Sequence, residues 1–239
     1  MDTADLQRFV ENFLHRLRGG GKSEPPLGPN IALQINAPAP DFEVTTTHGE
    51  LRLSSWNKDK WVILFSHPAD FTPVCTTEFI GFAKRHNEFE RRDVVLLGSS
   101  VDSVYSHIAW ARSIETTLGT KIPFPIIADL DMKVAKLYGM LHPATSDTSA
   151  VRALFFIDPK RTLRAMIYYP LSVGRNIDEV LRVVDALQMV DETGLAAPAD
   201  WRPGEPAIIP PPKTMEEAEA RMKETDAEVK DWYFAKKAA

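Results

Sequence analysis

One cysteine, Cys75, stands in the whole of this 239-residue sequence. That scarcity excludes an intramolecular disulfide and any zinc site built from several thiolates of one chain. Whatever Cys75 does, it does without a partner cysteine of its own chain. Long apolar runs are also missing, since no stretch approaches the roughly 18 apolar residues that a membrane-crossing helix needs. Positive charge is not in excess: 28 Lys and Arg against 33 Asp and Glu leave a net charge of −5. Nothing therefore draws the chain as a whole toward nucleic acid or an anionic membrane. The first residues carry acids at Asp2, Asp5 and Glu11, where an export signal would have a basic region followed by an apolar block. A soluble, cytoplasmic protein is expected. Internal repeats are absent, and the only biased tract is Pro210-Pro211-Pro212. Against these absences, 44% hydrophobic and 26% charged residues are the ordinary mix of a folded globular chain.

Residues 1–30 read as an extension, with Leu6, Phe9, Val10, Phe13, Leu14 and Leu17 at helical spacing before Gly19-Gly20-Gly21 and Pro25-Pro26 break the pattern. From Pro40 strands and helices alternate. Residues 41–46 and 51–53 read as a hairpin, and 61–66 is the near-continuous apolar run of a buried central strand. A long helix follows over about 75–91, then a strand over 94–99 and a helix from its cap Ser103 to about 118. A short strand over 124–128, a short helix over 132–138, a second hairpin from 153–157 and 163–168, and an amphipathic helix over 177–190 complete the series. The pattern predicts an α/β fold, a mixed sheet flanked by helices in a thioredoxin-like layout. Prolines after Gly194 mark a small C-terminal annex. In it, 214–227 reads as a charged helix and Trp232-Tyr233-Phe234 as packing anchors. The expected organisation is an extension at 1–30, a main domain at 31–193 and the annex at 194–239.

The segment from His67 to Glu78 carries the chemistry, because it sits between the central strand and the start of the long helix. A thiol in the first turn of a helix faces unpaired backbone N–H groups and the positive end of the helix dipole, which favour the nucleophilic thiolate. Thr72, three residues ahead of Cys75, can reach the sulfur with its hydroxyl or bridge the two oxygens of a peroxide. Pro68 and Pro73 stiffen the loop. Arg152 enters a strand that can lie beside the one feeding the cysteine loop, so its guanidinium can stabilise a thiolate and developing negative charge. His86, His107 and His142 have no metal-ligand spacing and read as structural. No metal and no cofactor are expected.

These residues resemble the peroxiredoxin pattern Pro-x-x-x-Thr-x-x-Cys, matched by Pro68, Thr72 and Cys75, with Arg152 at the place of that family's distant arginine. The stretches 37–42, 124–129, 168–170 and 173–176 are similar to the same family, and the likeness covers roughly 34–239. Within it, His67-Pro68, Cys75-Thr76-Thr77-Glu78, Gly174-Arg175-Asn176 and the proline-rich end resemble the one-cysteine subfamily. The resemblance implies a cofactor-free thiol peroxidase in which Cys75 attacks a hydroperoxide and becomes a sulfenic acid. It also implies a peroxide site of Thr72 and Arg152, His67 bordering the thiol, and Glu78 and Arg175 orienting Arg152. It implies homodimers, and allows larger rings, in which the annex reaches toward the partner's active site. With no resolving cysteine, an outside reductant must restore the thiol: glutathione, a thioredoxin-type protein, ascorbate or another small thiol.

Two departures narrow the expectation. Some members of the subfamily carry a phospholipase serine in Gly-Asp-Ser-Trp-Gly, where this chain has Lys58-Asp59-Lys60-Trp61-Val62, and the partner positions of that triad hold Ser54 and Lys160. Phospholipase activity is not expected. Archaeal-type relatives carry further cysteines around a C-terminal aromatic segment, whereas Phe234 is followed here by Ala235. The rival reading is a redox-controlled binding protein in which Cys75 senses peroxide without turnover. A disulfide reductase is disfavoured because there is no Cys-x-x-Cys.

Overall fold

The apolar run 61–66 forms the middle of the fold, and all six of its residues are buried. The computed structural model describes residues 33–146 and 148–238, so the helix expected within 1–30 lies outside the described residues. The elements run β1 (Glu43–Thr46), β2 (Gly49–Arg52), α1 (Leu53–Trp56), β3 (Trp61–Ser66), α2 (Pro73–Lys84), α3 (His86–Glu90), β4 (Val94–Ser100), α4 (Val104–Leu118), β5 (Ile126–Ala128) and α5 (Lys133–Leu137). They continue with β6 (Arg152–Ile157), β7 (Leu163–Tyr169), α6 (Ile177–Thr193), β8 (Ala207–Ile208), α7 (Met215–Arg221), β9 (Glu228–Asp231) and β10 (Phe234–Lys237).

Seven strands form one mixed sheet in the order β2-β1-β5-β4-β3-β6-β7. β3 runs parallel to β4 and antiparallel to β6, with Phe65 opposite both Gly98 and Leu154. Alternation along β3 and β6 divides the core between the two faces of the sheet. Trp61, Ile63 and Phe65, with Leu154 and Phe156, pack against Phe79 and Phe82 of α2, Trp110 and Ile114 of α4, and Val180 and Val184 of α6. On the other face Tyr138, just after α5, packs against Phe155 at 5.1 Å and Phe42 at 5.7 Å. Two of the helices that cover the site face, α4 and α6, carry side-chain caps. Ser103 accepts from the Ser106 N–H at the start of α4, and Asn176 accepts from the Asp178 and Glu179 N–H groups at the start of α6. Each such cap contributes about 1 kcal/mol.

Three features depart from the expectation. The helix predicted over 75–91 breaks at Arg85 (φ −102°, ψ 8°) into α2 and α3. No glycine or proline marks the break. Arg85 is held instead by Asp178 of α6, while Phe89 turns into the core beside Phe82. The charged helix predicted over 214–227 ends at Arg221, because none of its residues is buried and only its caps support it. The chain then forms β9 and β10, which with β8 make a three-stranded sheet. Its small core joins Trp201, Ala207, Ile209 and Ala235 to Met189 of α6. Finally, Trp232, Tyr233 and Phe234 are not packing anchors within the chain: they are 45%, 55% and 39% exposed, and Ala235 is the residue that docks.

Gly98 on β4 ties this packing to the site helix. A Cβ there would meet Phe79 Cζ at 3.1 Å and Phe65 Cζ at 3.5 Å. Gly98→Ala is expected to displace both rings and destabilise the fold by about 1–3 kcal/mol, read as a lower urea midpoint at unchanged slope.

Candidate active site

The end of β3 and the start of β6 lie side by side, and this brings the cysteine loop to Arg152. Ser66 fastens the junction, donating to the Val151 carbonyl at 2.5 Å and accepting from the Ala153 N–H at 3.1 Å. The loop then leaves β3 and enters α2 with Thr72 as the extended cap residue and Pro73 as the first helical residue. Proline is suited to that place, since its missing N–H would have no partner there. Cys75 is the third residue of the helix, inside the first turn, where backbone N–H groups lack intrahelical acceptors.

Cys75 is fully buried, and Arg152 Nη1 stands 3.3 Å from its sulfur. Arg152 is held on every nitrogen. Nε and Nη2 donate to the Leu171 carbonyl at 2.9 and 2.7 Å, and Nη1 also donates to Glu78 Oε2 at 2.7 Å. Glu78, one turn beyond Cys75, accepts in addition from the Arg175 backbone N–H, Nε and Nη2 at 2.9, 2.8 and 2.7 Å. Arg175 Nη1 reaches the Ser66 and Ala153 carbonyls at 2.9 and 3.0 Å. Burial pushes the Arg175 guanidinium below its ordinary range, Glu78 pulls it back, and the neighbouring Arg152 repels it. Arginine stays protonated under such shifts, so two cations and one carboxylate leave a single positive charge in excess beside the sulfur.

The structure thus gathers Cys75, Arg152, Glu78 and Arg175 into one buried cluster. Thr72 sits at the helix cap, but its hydroxyl donates to the Ala69 carbonyl at 2.9 Å. It does not donate to the sulfur as the spacing suggested. Its lone pairs remain as acceptors. Pro68 is half-buried in the loop. Phe71, just before the cap, has φ 55° and is exposed, a left-handed conformation that costs a non-glycine residue about 1–2 kcal/mol.

His67 is fully buried, stacked on Trp110 at 5.1 Å and set edge-on to Phe79 at 4.7 Å. Its Nε2 lies 2.9 Å from Asp70 Oδ1, and its Nδ1 is buried without a partner. His107 completes the group. Its Nδ1 lies 2.8 Å from Asp70 Oδ2 and its Nε2 3.0 Å from the Ile127 carbonyl. Three ligand-type atoms of His67, Asp70 and His107 lie within 4.8 Å of one another. Their separations along the chain of contacts are hydrogen-bond lengths, with the carboxylate accepting from both rings. Reading the sequence missed Asp70, and it took His107 for an ordinary structural histidine. The faint signal was Asp70 between the two loop prolines. His107 comes 37 residues later, and only the parallel pairing of β3 with β4 brings the two together.

The fold and this cluster together define a class. The AhpC/TSA family pattern matches residues 35–166, and the C-terminal domain of 1-Cys peroxiredoxin matches residues 186–225. The chain belongs to the AhpC/TSA family as a peroxiredoxin, a thiol peroxidase, of the one-cysteine kind. It is 54% identical over 211 residues to a peroxiredoxin 2 of Caldanaerobacter subterraneus subsp. tengcongensis, covering 87% of this chain and 95% of the relative. With a peroxiredoxin of Aquifex aeolicus it shares 56% over 215 residues, covering 85% and 96%. Among solved structures, a yeast mitochondrial 1-Cys peroxiredoxin superposes with a TM-score of 0.76 at 41% identity, covering 87% of this chain and all of the other. A cysteine-to-serine mutant of peroxiredoxin 6 of Arenicola marina gives 0.76 at 35% identity, covering 86% and 98%.

Two tests follow from the buried charges. Burial holds His67 below its ordinary 6.5. For Asp70, burial would raise the carboxyl above its ordinary 3.8, but hydrogen bonds from His107 and His67 outweigh it and hold it well below. Both groups bind protons more readily unfolded than folded, so stability falls as pH falls. The loss begins near about pH 6.5 through His67 and deepens below about pH 4 through Asp70. Urea midpoints measured from pH 7 down to pH 3 are expected to drop in that order. Glu78→Ala leaves two buried guanidinium groups without their carboxylate and is expected to destabilise by about 3–5 kcal/mol, measured by urea denaturation at pH 7.

Proposed function

We propose that Cys75 is the peroxidatic residue of this peroxiredoxin, with Arg152 and Thr72 as the groups that bind the peroxide. The single observation that carries the assignment is Arg152 Nη1 at 3.3 Å from Cys75 Sγ, at the first turn of α2. The excess positive charge of the Arg152, Arg175 and Glu78 cluster faces a sulfur that the helix terminus also favours as thiolate. The thiolate attacks one peroxide oxygen in line with the O–O bond. A sulfur–oxygen bond forms, the O–O bond breaks, sulfur loses two electrons, and the departing hydroxide or alkoxide takes a proton to leave as water or an alcohol. Arg152 neutralises the charge that develops on the peroxide oxygens. Thr72 accepts the peroxide O–H, for which its lone pairs are free. Glu78 and Arg175 hold Arg152 in place, His67 walls the pocket, and Pro68 stiffens its rim.

The sulfenic acid needs a reductant from outside the chain, since no second cysteine exists to resolve it. An incoming thiol condenses with it to give a mixed disulfide and water, and a second thiol releases Cys75. The reductant we favour is glutathione or a thioredoxin-type protein. A yeast mitochondrial structural neighbour is itself described as resolved through glutathione and thioredoxin systems. Further parts of the reading are a homodimer assembled through the annex and a cytoplasmic location. Among the described residues no helix is long and apolar enough to cross a membrane.

Stopped-flow oxidation by hydrogen peroxide, followed by turnover with a panel of thiols, tests the assignment. Cys75→Ser is expected to abolish both. Arg152→Ala is expected to slow oxidation by about 10²- to 10³-fold and Thr72→Val by on the order of 10²-fold, with circular dichroism unchanged. A fully active Cys75→Ser would overturn the assignment. Single-turnover oxidation without thiol-supported turnover would favour a sensor.

A further inference from the structure

The Thr72 hydroxyl serves the reaction only while its lone pairs face the peroxide at a fixed place, and a misplacement of about 1 Å in an active site can cost on the order of 10²-fold in rate. On the loop side the residue is anchored by its own O–H, which donates to the Ala69 carbonyl at 2.9 Å. On the helix side the anchor is its backbone carbonyl. As the cap residue of α2, Thr72 gives that carbonyl to the first intrahelical bond, from the Thr76 N–H at 3.0 Å. The same carbonyl takes a second bond, from the Thr76 hydroxyl at 2.8 Å.

Thr76, the residue after Cys75, is in turn fixed from outside α2. The Trp110 Nε1–H donates to Thr76 Oγ1 at 3.3 Å, so a chain of donors runs from α4 through the Thr76 hydroxyl to the Thr72 carbonyl. The indole is itself held: Trp110 is buried, stacked on His67 at 5.1 Å and packed on Phe79 at 4.6 Å. Helix stability does not account for this chain. A threonine hydroxyl bonded back to the carbonyl four residues earlier weakens and bends a helix slightly, threonine is a poor helix former, and the indole bond is long for its kind. What the chain secures is the orientation of one peptide group, that of Thr72.

We propose that Thr76 and Trp110 are positioning residues for Thr72, a relay that sets the angle at which the Thr72 lone pairs meet the peroxide. The inference rests on the reading of Cys75 as the peroxidatic thiol and Thr72 as the peroxide acceptor. Neither relay residue touches the peroxide. Trp110 occupies a lone pair of the Thr76 hydroxyl, which directs that hydroxyl's proton to the Thr72 carbonyl and strengthens it as a donor. Thr76 then holds the Thr72 peptide plane by two bonds where an ordinary cap residue has one.

The experiment uses the full-length protein and measures the second-order rate constant of oxidation by hydrogen peroxide. It is read as loss of the chain's one thiol after quenching in denaturant, so no signal depends on Trp110. Thr76→Val keeps the shape of the side chain and removes its hydroxyl, and Thr76→Ser restores the hydroxyl without the methyl. Thr76→Val is expected to slow oxidation about tenfold and Thr76→Ser by no more than about threefold, the scale set by one hydrogen bond. In a Thr72→Val background, where no lone pairs remain to be aimed, Thr76→Val is expected to cost no more than about twofold further. Trp110→Phe keeps an aromatic ring and removes the N–H, and is expected to slow oxidation about threefold alone and not at all in the Thr72→Val background. The relay is overturned by a Thr76→Val rate equal to wild type, by a Thr76→Ser rate as low as that of Thr76→Val, or by a loss that persists undiminished in Thr72→Val. Should Thr76→Val fail to fold, Trp110→Phe decides by the same comparison of backgrounds. Failure of the underlying reading shows separately, as peroxide consumption that survives Cys75→Ser or as a Thr72→Val protein that oxidises at the wild-type rate.

Discussion

The constraint on which this structure turns is the burial of two guanidinium groups around one carboxylate. Arg152, Arg175 and Glu78 are 3%, 7% and 3% exposed, and charges taken out of water are tolerated only when their donors and acceptors are met. Here Glu78 supplies anionic acceptors to both arginines, and carbonyls of Leu171, Ser66 and Ala153 take the remaining guanidinium bonds. Those carbonyls come from the ends of β3 and β6 and from the turn after β7. The charge cluster therefore cross-links the strand ends that would otherwise splay at the site, and its net positive charge has one place to face, the sulfur.

The same geometry explains why the site stands where it does along the sheet. β3 and β4 run parallel, so the loop leaving β3 and the loop leaving β4 emerge at the same edge. β6 runs antiparallel to β3 and begins at that edge, which places Arg152 opposite the cysteine loop. Phe65 and Phe79 hold α2 against the strands through Gly98, which has no side chain to keep them apart. A helix start, a guanidinium and the cysteine loop converge because three strand ends converge. The aromatic packing then fixes the rise of α2 and with it the height of Cys75 above the sheet.

Much of this was legible in the residues themselves. The period-two and period-3.6 patterns marked the strands and helices of the main sheet, since burial on defined faces leaves its imprint on hydrophobic spacing. The nearness of Cys75 and Arg152 followed from type and place, whereas the Thr72 hydroxyl turned to the Ala69 carbonyl and not to the sulfur. What escaped were features decided by contacts between distant parts. The break at Arg85 depends on Asp178, 93 residues away. The last segment of the chain became strands because β10 found partners in β8 and β9, where its residues alone had offered only an aromatic cluster. Asp70 and His107 are ordinary residues in their local windows, and only the parallel crossover from β3 to β4 makes them neighbours. Local rules read a strand or a helix well when its own buried face supplies the stability, and poorly when another segment does.

The closed pocket also bears on how one cysteine can serve a cycle that needs two partners. A second thiol in the same chain would bring the reductant to the sulfur at high effective concentration, and a wide rearrangement would be worth its cost once per turnover. With no such thiol, every reduction is a bimolecular encounter, and a permanently open sulfur would meet oxidants as readily as reductants. A fully buried sulfur is shielded from both, and each half of the cycle has to reach it. A sulfenic acid that waits beside Arg152 for an outside thiol is open in the meantime to a second peroxide, which would carry it to the sulfinic state. The balance between shielding and release is thus the physical problem that a one-cysteine site has to solve.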